Sequence, residues 1–291
     1  MRKLILILFL CAPVIALAQD DMALLASADT SKQYVTSTFK GSHIVNFESV
    51  ETQGKGVLEF MIQHRFGDFN GGINSLFGMD NGATIRFGLG YGITNRLEVG
   101  IGRTSYEKML DGYLKYRLLR QTIGGMPFSV TLFGSVYATT LKDGNAAANG
   151  FDMYHFAGDR LSYTFQPIIA RKFSDVFSLQ VSPTYIHFNM VENITDKNDA
   201  FVLGFAGRYK FSKRMAITAE YGARYMSYTA SKDYHNTLGV GWEIETGGHV
   251  FQMFITNSTG ITAPQYLTHT NTSWRDGGIR LGFNISRAFT L

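Results

Sequence analysis

The stretch that decides the fold is the last one, Gly278-Ile279-Arg280-Leu281-Gly282-Phe283-Asn284-Ile285-Ser286-Arg287-Ala288-Phe289-Thr290-Leu291. Every second residue from Ile279 is large and apolar, with Arg287 the one break in the row. The interleaved set, Arg280, Gly282, Asn284, Ser286, Ala288 and Thr290, is small or polar. Alternation of period two places successive side chains on opposite faces of a β-strand, so one face meets something apolar and the other something wet. The run is about twice the length of an ordinary soluble strand.

The same alternation runs upstream to Gly56. It predicts strands over Gly56–Phe66, Gly82–Tyr91, Arg96–Arg103, Gly112–Leu119, Pro127–Thr140, Asp159–Ala170, Val176–Phe188, Asp199–Phe211, Met215–Tyr228, Asn236–Glu245 and His249–Asn257. Long connections, among them Gly67–Asn81, Thr104–Asp111, Leu141–Gly158 and Ser258–Asp276, follow every odd strand. Short turns such as Gly92–Asn95 and Gly247-Gly248 follow the even ones. An even number of long amphipathic strands with connections that alternate in length describes an all-β, antiparallel, up-and-down transmembrane barrel of twelve strands. Fourteen is the alternative, because His43–Glu51 has strand character of its own. The domains are then a signal peptide over residues 1–18, a periplasmic or lumen-inserted segment over 19–55, and the barrel over 56–291.

Composition agrees. The chain has 31 Gly, 5 Pro and 14% aromatic residues, and its mean hydropathy of −0.02 suits a wall with one greasy and one polar face. Arg2 and Lys3, the apolar run from Leu4 to Leu10 and the Ala16-Leu17-Ala18 site form a secretory signal. The 27 basic residues fall to 25 once Arg2 and Lys3 are removed, against 23 acidic, so nucleic-acid binding has no electrostatic support. Cys11 is the only cysteine and lies in the signal. Beyond the signal no apolar run is long enough for a spanning helix.

The closing stretch resembles the last strand of Gram-negative outer-membrane β-barrels, which their assembly machinery reads as an address. Such strands commonly end in Phe or Trp; here the end is Leu291, with Phe289 two places earlier on the same face. Several further motifs are similar to a family of membrane-bound β-barrels without assigned function. They include Ser37-Thr38-Phe39-Lys40-Gly41, His64-Arg65-Phe66-Gly67, Asp159-Arg160-Leu161-Ser162-Tyr163, Glu245-Thr246-Gly247-Gly248-His249-Val250-Phe251-Gln252 and Gly282-Phe283-Asn284-Ile285-Ser286-Arg287. The resemblance spans nearly all of the chain after the signal. It implies an outer-membrane barrel in a Gram-negative envelope, with membrane lipid and the assembly machinery as partners. It supplies no catalytic residue, substrate, metal or cofactor, and none is expected.

The candidate site is the lumen. Its predicted lining charges are Glu59, Arg65, Arg86, Glu98, Lys115, Arg117, Arg160, Arg208, Glu220, Arg224, Glu243 and Arg280. Two readings of that lining stay open: a network of Arg and Glu that braces a closed wall, or a narrow aqueous passage whose basic excess favours anions. Asp152, His155 and Asp159 form the best cluster for catalysis or a metal, in a polar loop where solvation alone accounts for them. Gly88, Gly90 and Gly92 precede no helix, so they make no phosphate loop; they relieve crowding on the lumen face. Tyr91, Tyr163, Tyr185, Tyr225, Tyr228 and Trp242 fit an interfacial aromatic girdle. Phe205 and Leu281 are expected to face lipid near the middle of their strands. The protein is expected not to be an enzyme. Passive passage of small, anionic solutes is the first function, and a closed structural or binding barrel that works through its loops or amino-terminal segment is the alternative. A barrel-embedded hydrolase is a distant third. His43–Glu51 is expected to enter the periplasmic mouth and restrict it.

Overall fold

The computed structural model describes residues 33–142, 154–191, 196–225 and 233–291, and everything below concerns the compact unit Tyr34–Leu291. The expected signal peptide, Asp152 and Tyr228 lie outside the described residues.

Twelve antiparallel strands form a closed barrel in chain order: β1 Val57–Asp68, β2 Thr84–Gly92, β3 Leu97–Thr104, β4 Met109–Leu119, β5 Ser129–Thr139, β6 Leu161–Lys172, β7 Phe177–Phe188, β8 Asp199–Lys210, β9 Met215–Arg224, β10 Thr237–Thr246, β11 His249–Thr256 and β12 Arg280–Thr290. The closing strand seals the wall by pairing with β1, from Val57↔Thr290 to Arg65↔Gly282. That closure leaves no place for two more wall strands, so the count of fourteen is excluded. His43–Glu51 makes a bridge with itself, His43↔Glu48, and none with the wall.

The faces follow the alternation. On β1, Glu59, Met61, Gln63 and Arg65 are buried, while Phe60 is exposed. On β12, Arg280, Gly282, Asn284 and Ser286 are buried. Phe87, Leu89, Ile101, Phe165, Phe205 and Tyr221 are among the large apolar side chains exposed outside. A soluble domain buries such residues; here the apolar face is the outer one, as a lipid-facing wall requires. Tyr91, Tyr163, Tyr185, Tyr225 and Trp242 are all exposed on that surface.

Three details differ from expectation. Strand β4 begins at Met109, so the β3–β4 connection shrinks to residues 105–108, while the β4–β5 connection covers 120–128. The alternation of long and short connections therefore fails at this pair. Phe205 sits mid-strand and exposed, but Leu281 is only the second residue of β12, near the long-loop end. Residues 258–270 of the long connection Ser258–Asp276, read as a loop between strands, are almost all buried.

One joint in the wall is weak. The β6–β7 ladder stops at Phe165↔Tyr185 and resumes at Ile169↔Val181. In that register Pro167 faces Pro183 across the gap. Neither has an N–H, so neither can bond the opposite carbonyl.

Candidate functional site

The lumen of this barrel is occupied. Twelve strands make a barrel wider than the eight-stranded kind whose own side chains fill it. Here two pieces of the chain supply the filling. Residues 38–50 enter beside the short turns and are buried almost throughout, with Phe39, Ile44, Val45, Phe47 and Val50 at 2% exposure or less. From the opposite end, residues 257–270 fold inward and carry a short helix, α1 Ala263–Thr268, capped by Thr262 and Gln265, with Pro264 in its first turn. The two pieces meet where Phe47 stacks on Tyr266, ring centres 5.4 Å apart.

The wall is shaped to receive them. A Cβ added at Gly204 would lie 2.6 Å from the Phe47 ring, and one at Gly239 would lie 2.9 Å from Val45. Gly90 and Gly100 make room for Tyr113, and Gly88 and Gly102 for the Arg86 guanidinium. The lumen glycines thus do relieve crowding, each for a particular neighbour.

Polar contacts fix the inserted segment. Glu220 on β9 accepts hydrogen bonds from three successive backbone amides, Val45 at 3.0 Å, Asn46 at 2.8 Å and Phe47 at 3.0 Å, and from Asn46 Nδ2 at 2.6 Å. A carboxylate cupped by consecutive N–H groups is the arrangement that anion-binding backbone nests use, here closed within one chain. Arg65 donates to Asn46 Oδ1 and Asn284 Oδ1 and lies over the Phe254 ring. Lys115, fully buried, pairs with Glu48 at 2.7 Å and donates to the Ser42 carbonyl. Glu48 also meets His43 at 2.9 Å. Burial alone would raise the Glu48 carboxyl, but the charges and hydrogen bonds of His43 and Lys115 hold it below the usual carboxylate range. Glu59 accepts from Ser42, and Glu98 from Tyr113 and the Gln53 amide. At the short-turn end Lys40 reaches Glu245 at 2.6 Å, and Arg117 reaches Glu51 at 3.2 Å.

The remaining lining charges pair within the wall or with the inserted loop. Arg86 grips Asp111 with two bonds, Nε to Oδ1 at 2.9 Å and Nη2 to Oδ2 at 2.5 Å. Arg208 meets Glu243 at 2.8 Å. Arg224 and Arg280 donate to Thr268 and Thr272 of the loop. Arg160 stands apart: it lies in a short turn before β6, donates to the Leu141 carbonyl and stacks on Tyr154. The sequence reading missed Asp111, which it placed in a loop. The interruption of the row by Gly112 hid the start of β4. Asp159 caps its own short helix by accepting from the Phe156 amide. Among the described residues no three His, Cys, Asp or Glu side chains are grouped to hold a metal ion.

Among the described residues, a cavity between segment, loop and wall measures about 20 Å³ and is lined by His43, Glu48, Arg86, Asp111 and Tyr266 among others. That is room for about one water molecule.

Residues 39–289 match a family model described as "Membrane bound beta barrel domain (DUF5777)". The chain belongs to this family. The wall is therefore a membrane-bound β-barrel, and its exposed apolar face is the face turned to lipid. No curated protein matches the chain by sequence. Among solved structures, the NanC porin is similar with a TM-score of 0.47 at 8% identity, over 80% of this chain and 100% of that one. An outer membrane channel from Pseudomonas putida F1 follows at 0.44 and 12% identity, over 82% and 97%. Outer membrane phospholipase A from Escherichia coli is also at 0.44, with 9% identity over 86% and 95%.

Proposed function

We propose that this is an outer-membrane barrel of a Gram-negative envelope, closed at rest by its own amino-terminal segment, and a conduit for small solutes only when that segment leaves. The observation that carries the reading is the seating of residues 45–47 on Glu220. Among the described residues a cavity beside the segment measures about 20 Å³, so passage of a solute there calls for the segment to move. Exit of the segment would also take Glu48 and Glu51 away from Lys115 and Arg117. The vacated lining would then be more basic and would favour anionic solutes, as charged linings tune barrel selectivity. The proposal involves no catalytic step. Membrane lipid, and the assembly machinery that reads the closing strand, are its partners during biogenesis.

Conductance in a planar bilayer tests it. Full-length protein should be nearly silent, and a chain lacking residues 39–51 should conduct with anion preference. Because residues 257–270 also fill the lumen, a chain lacking both residues 39–51 and residues 258–270 completes the test: if it folds, as judged by heat-modifiable migration, and is also silent, the conduit is refuted and a closed structural or binding barrel is left.

A further inference from the structure

At the short-turn end Arg96, Arg117 and Arg120 share a pocket of about 220 Å³ with Tyr34, Leu118 and Leu119. A shift of register between Arg117 and Leu119 interrupts the β4–β5 ladder. With it, two successive leucines are exposed where plain alternation would turn one inward. Arg117 has a carboxylate partner in Glu51. Among the described residues Arg96 and Arg120 have none; the Arg120 guanidinium carbon instead lies over the Tyr34 ring, 4.7 Å from its centre. That cation–π contact holds the guanidinium beside the pocket without neutralising its charge. The pocket thus combines a cationic floor with an apolar flank that is continuous with the lipid-facing surface.

We propose that this pocket binds an anionic phospholipid of the leaflet at the short-turn end. Its phosphodiester takes the guanidinium edges of Arg96 and Arg120, and its acyl chain lies along Leu118 and Leu119. Guanidinium forks match phosphate oxygens two at a time, and the match is stronger where lipid excludes water. Basic pockets at membrane depth select anionic headgroups for this reason. A water-soluble anion would use the arginines but gain nothing from the leucines. The inference rests on the membrane placement of the wall and is independent of whether the lumen opens.

Native mass spectrometry of the full-length protein, folded in detergent and checked by heat-modifiable migration, tests it with phosphatidylglycerol and phosphatidylcholine as probes. Wild type should retain one phosphatidylglycerol under conditions that strip phosphatidylcholine. The R96Q/R120Q protein should bind phosphatidylglycerol about tenfold more weakly or worse, since it loses charge-assisted hydrogen bonds. Excess inorganic phosphate should leave the lipid adduct in place. Equal retention of the two lipids, or undiminished phosphatidylglycerol in the folded double variant, overturns the site. Displacement by inorganic phosphate overturns the lipid assignment in favour of a free anion. Should the double variant fail to fold, R96Q alone carries the test, since Arg96 is exposed and its side chain has no ion-pair partner among the described residues.

Discussion

Replacing Glu220 by Ala should unseat the inserted segment while sparing the wall. The carboxylate takes no part in the β-ladder: Glu220 pairs with Gly239 and Ala206 through its backbone, which the substitution keeps. What is lost is the acceptor for three backbone amides and the Asn46 side chain. A buried donor stripped of its partner costs about 1–3 kcal/mol. Water admitted to the space vacated by the carboxylate offsets part of that sum, so a net loss of about 4 kcal/mol is a reasonable scale for four donors. At about 1.4 kcal/mol per factor of ten, the ratio of withdrawn to seated segment rises by roughly 10³. Hydrogen exchange of the amides of residues 45–47 reads this directly: they should exchange faster in E220A by a factor of that order, while the amides of β9 and β10 keep their protection. E220Q should lie between, since it retains one acceptor oxygen but offers an amine to facing N–H donors. If exchange at residues 45–47 is the same in a folded E220A protein, Glu220 does not hold the segment. The apolar contacts of Ile44, Phe47 and Tyr266 would then suffice.

Two further outcomes follow from the faces and ends of the wall. Arg in place of Phe205, mid-strand on the lipid side, should cost about 2–4 kcal/mol in folding titrations into lipid, and Leu281→Arg, near a strand end, about 0–1 kcal/mol; equal costs would contradict the depths assigned. Protease added from the long-loop side should cut within residues 69–81, where Ile73 is 72% exposed, and spare residues 257–270, which lie inside the lumen; cleavage at residues 257–270 of the folded barrel would show the loop outside.

The wall was legible because its signal is local and repeated. Alternation along Gly278–Leu291 fixes strand, facing and length together, and each hairpin repeats it. The closed ring of twelve follows from counting. The filling of the lumen was less legible, since it depends on complementarity between distant parts of the chain. Glu220 could be read as an inward charge, but nothing local pairs it with the amides of residues 45–47. Residues 257–270 are rich in Thr, start with Asn-Ser-Thr-Gly and read as a loop. They are buried because Asn257 finds polar partners at Leu238 in the wall and at Asn236, and Gln265 finds one at the Tyr106 carbonyl. A stretch whose polar groups are satisfied inside a protein has the composition of one satisfied by water.

The facing prolines of β6 and β7 divide the chain at its middle. Six strands precede the gap and six follow it, so the ring consists of two six-stranded sheets with two joints. One joint, β1 to β12, has a nearly continuous ladder and forms only when the chain is complete. The other joins two strands across a tight turn and lacks backbone pairing at its centre. Across that gap the two halves are held by side chains instead of backbone, with Gln166 Nε2 donating to Thr184 Oγ1 at 2.9 Å on the lumen side. The ring is thus closed by backbone at one joint and, at the middle of the other, by a pair of lumen side chains.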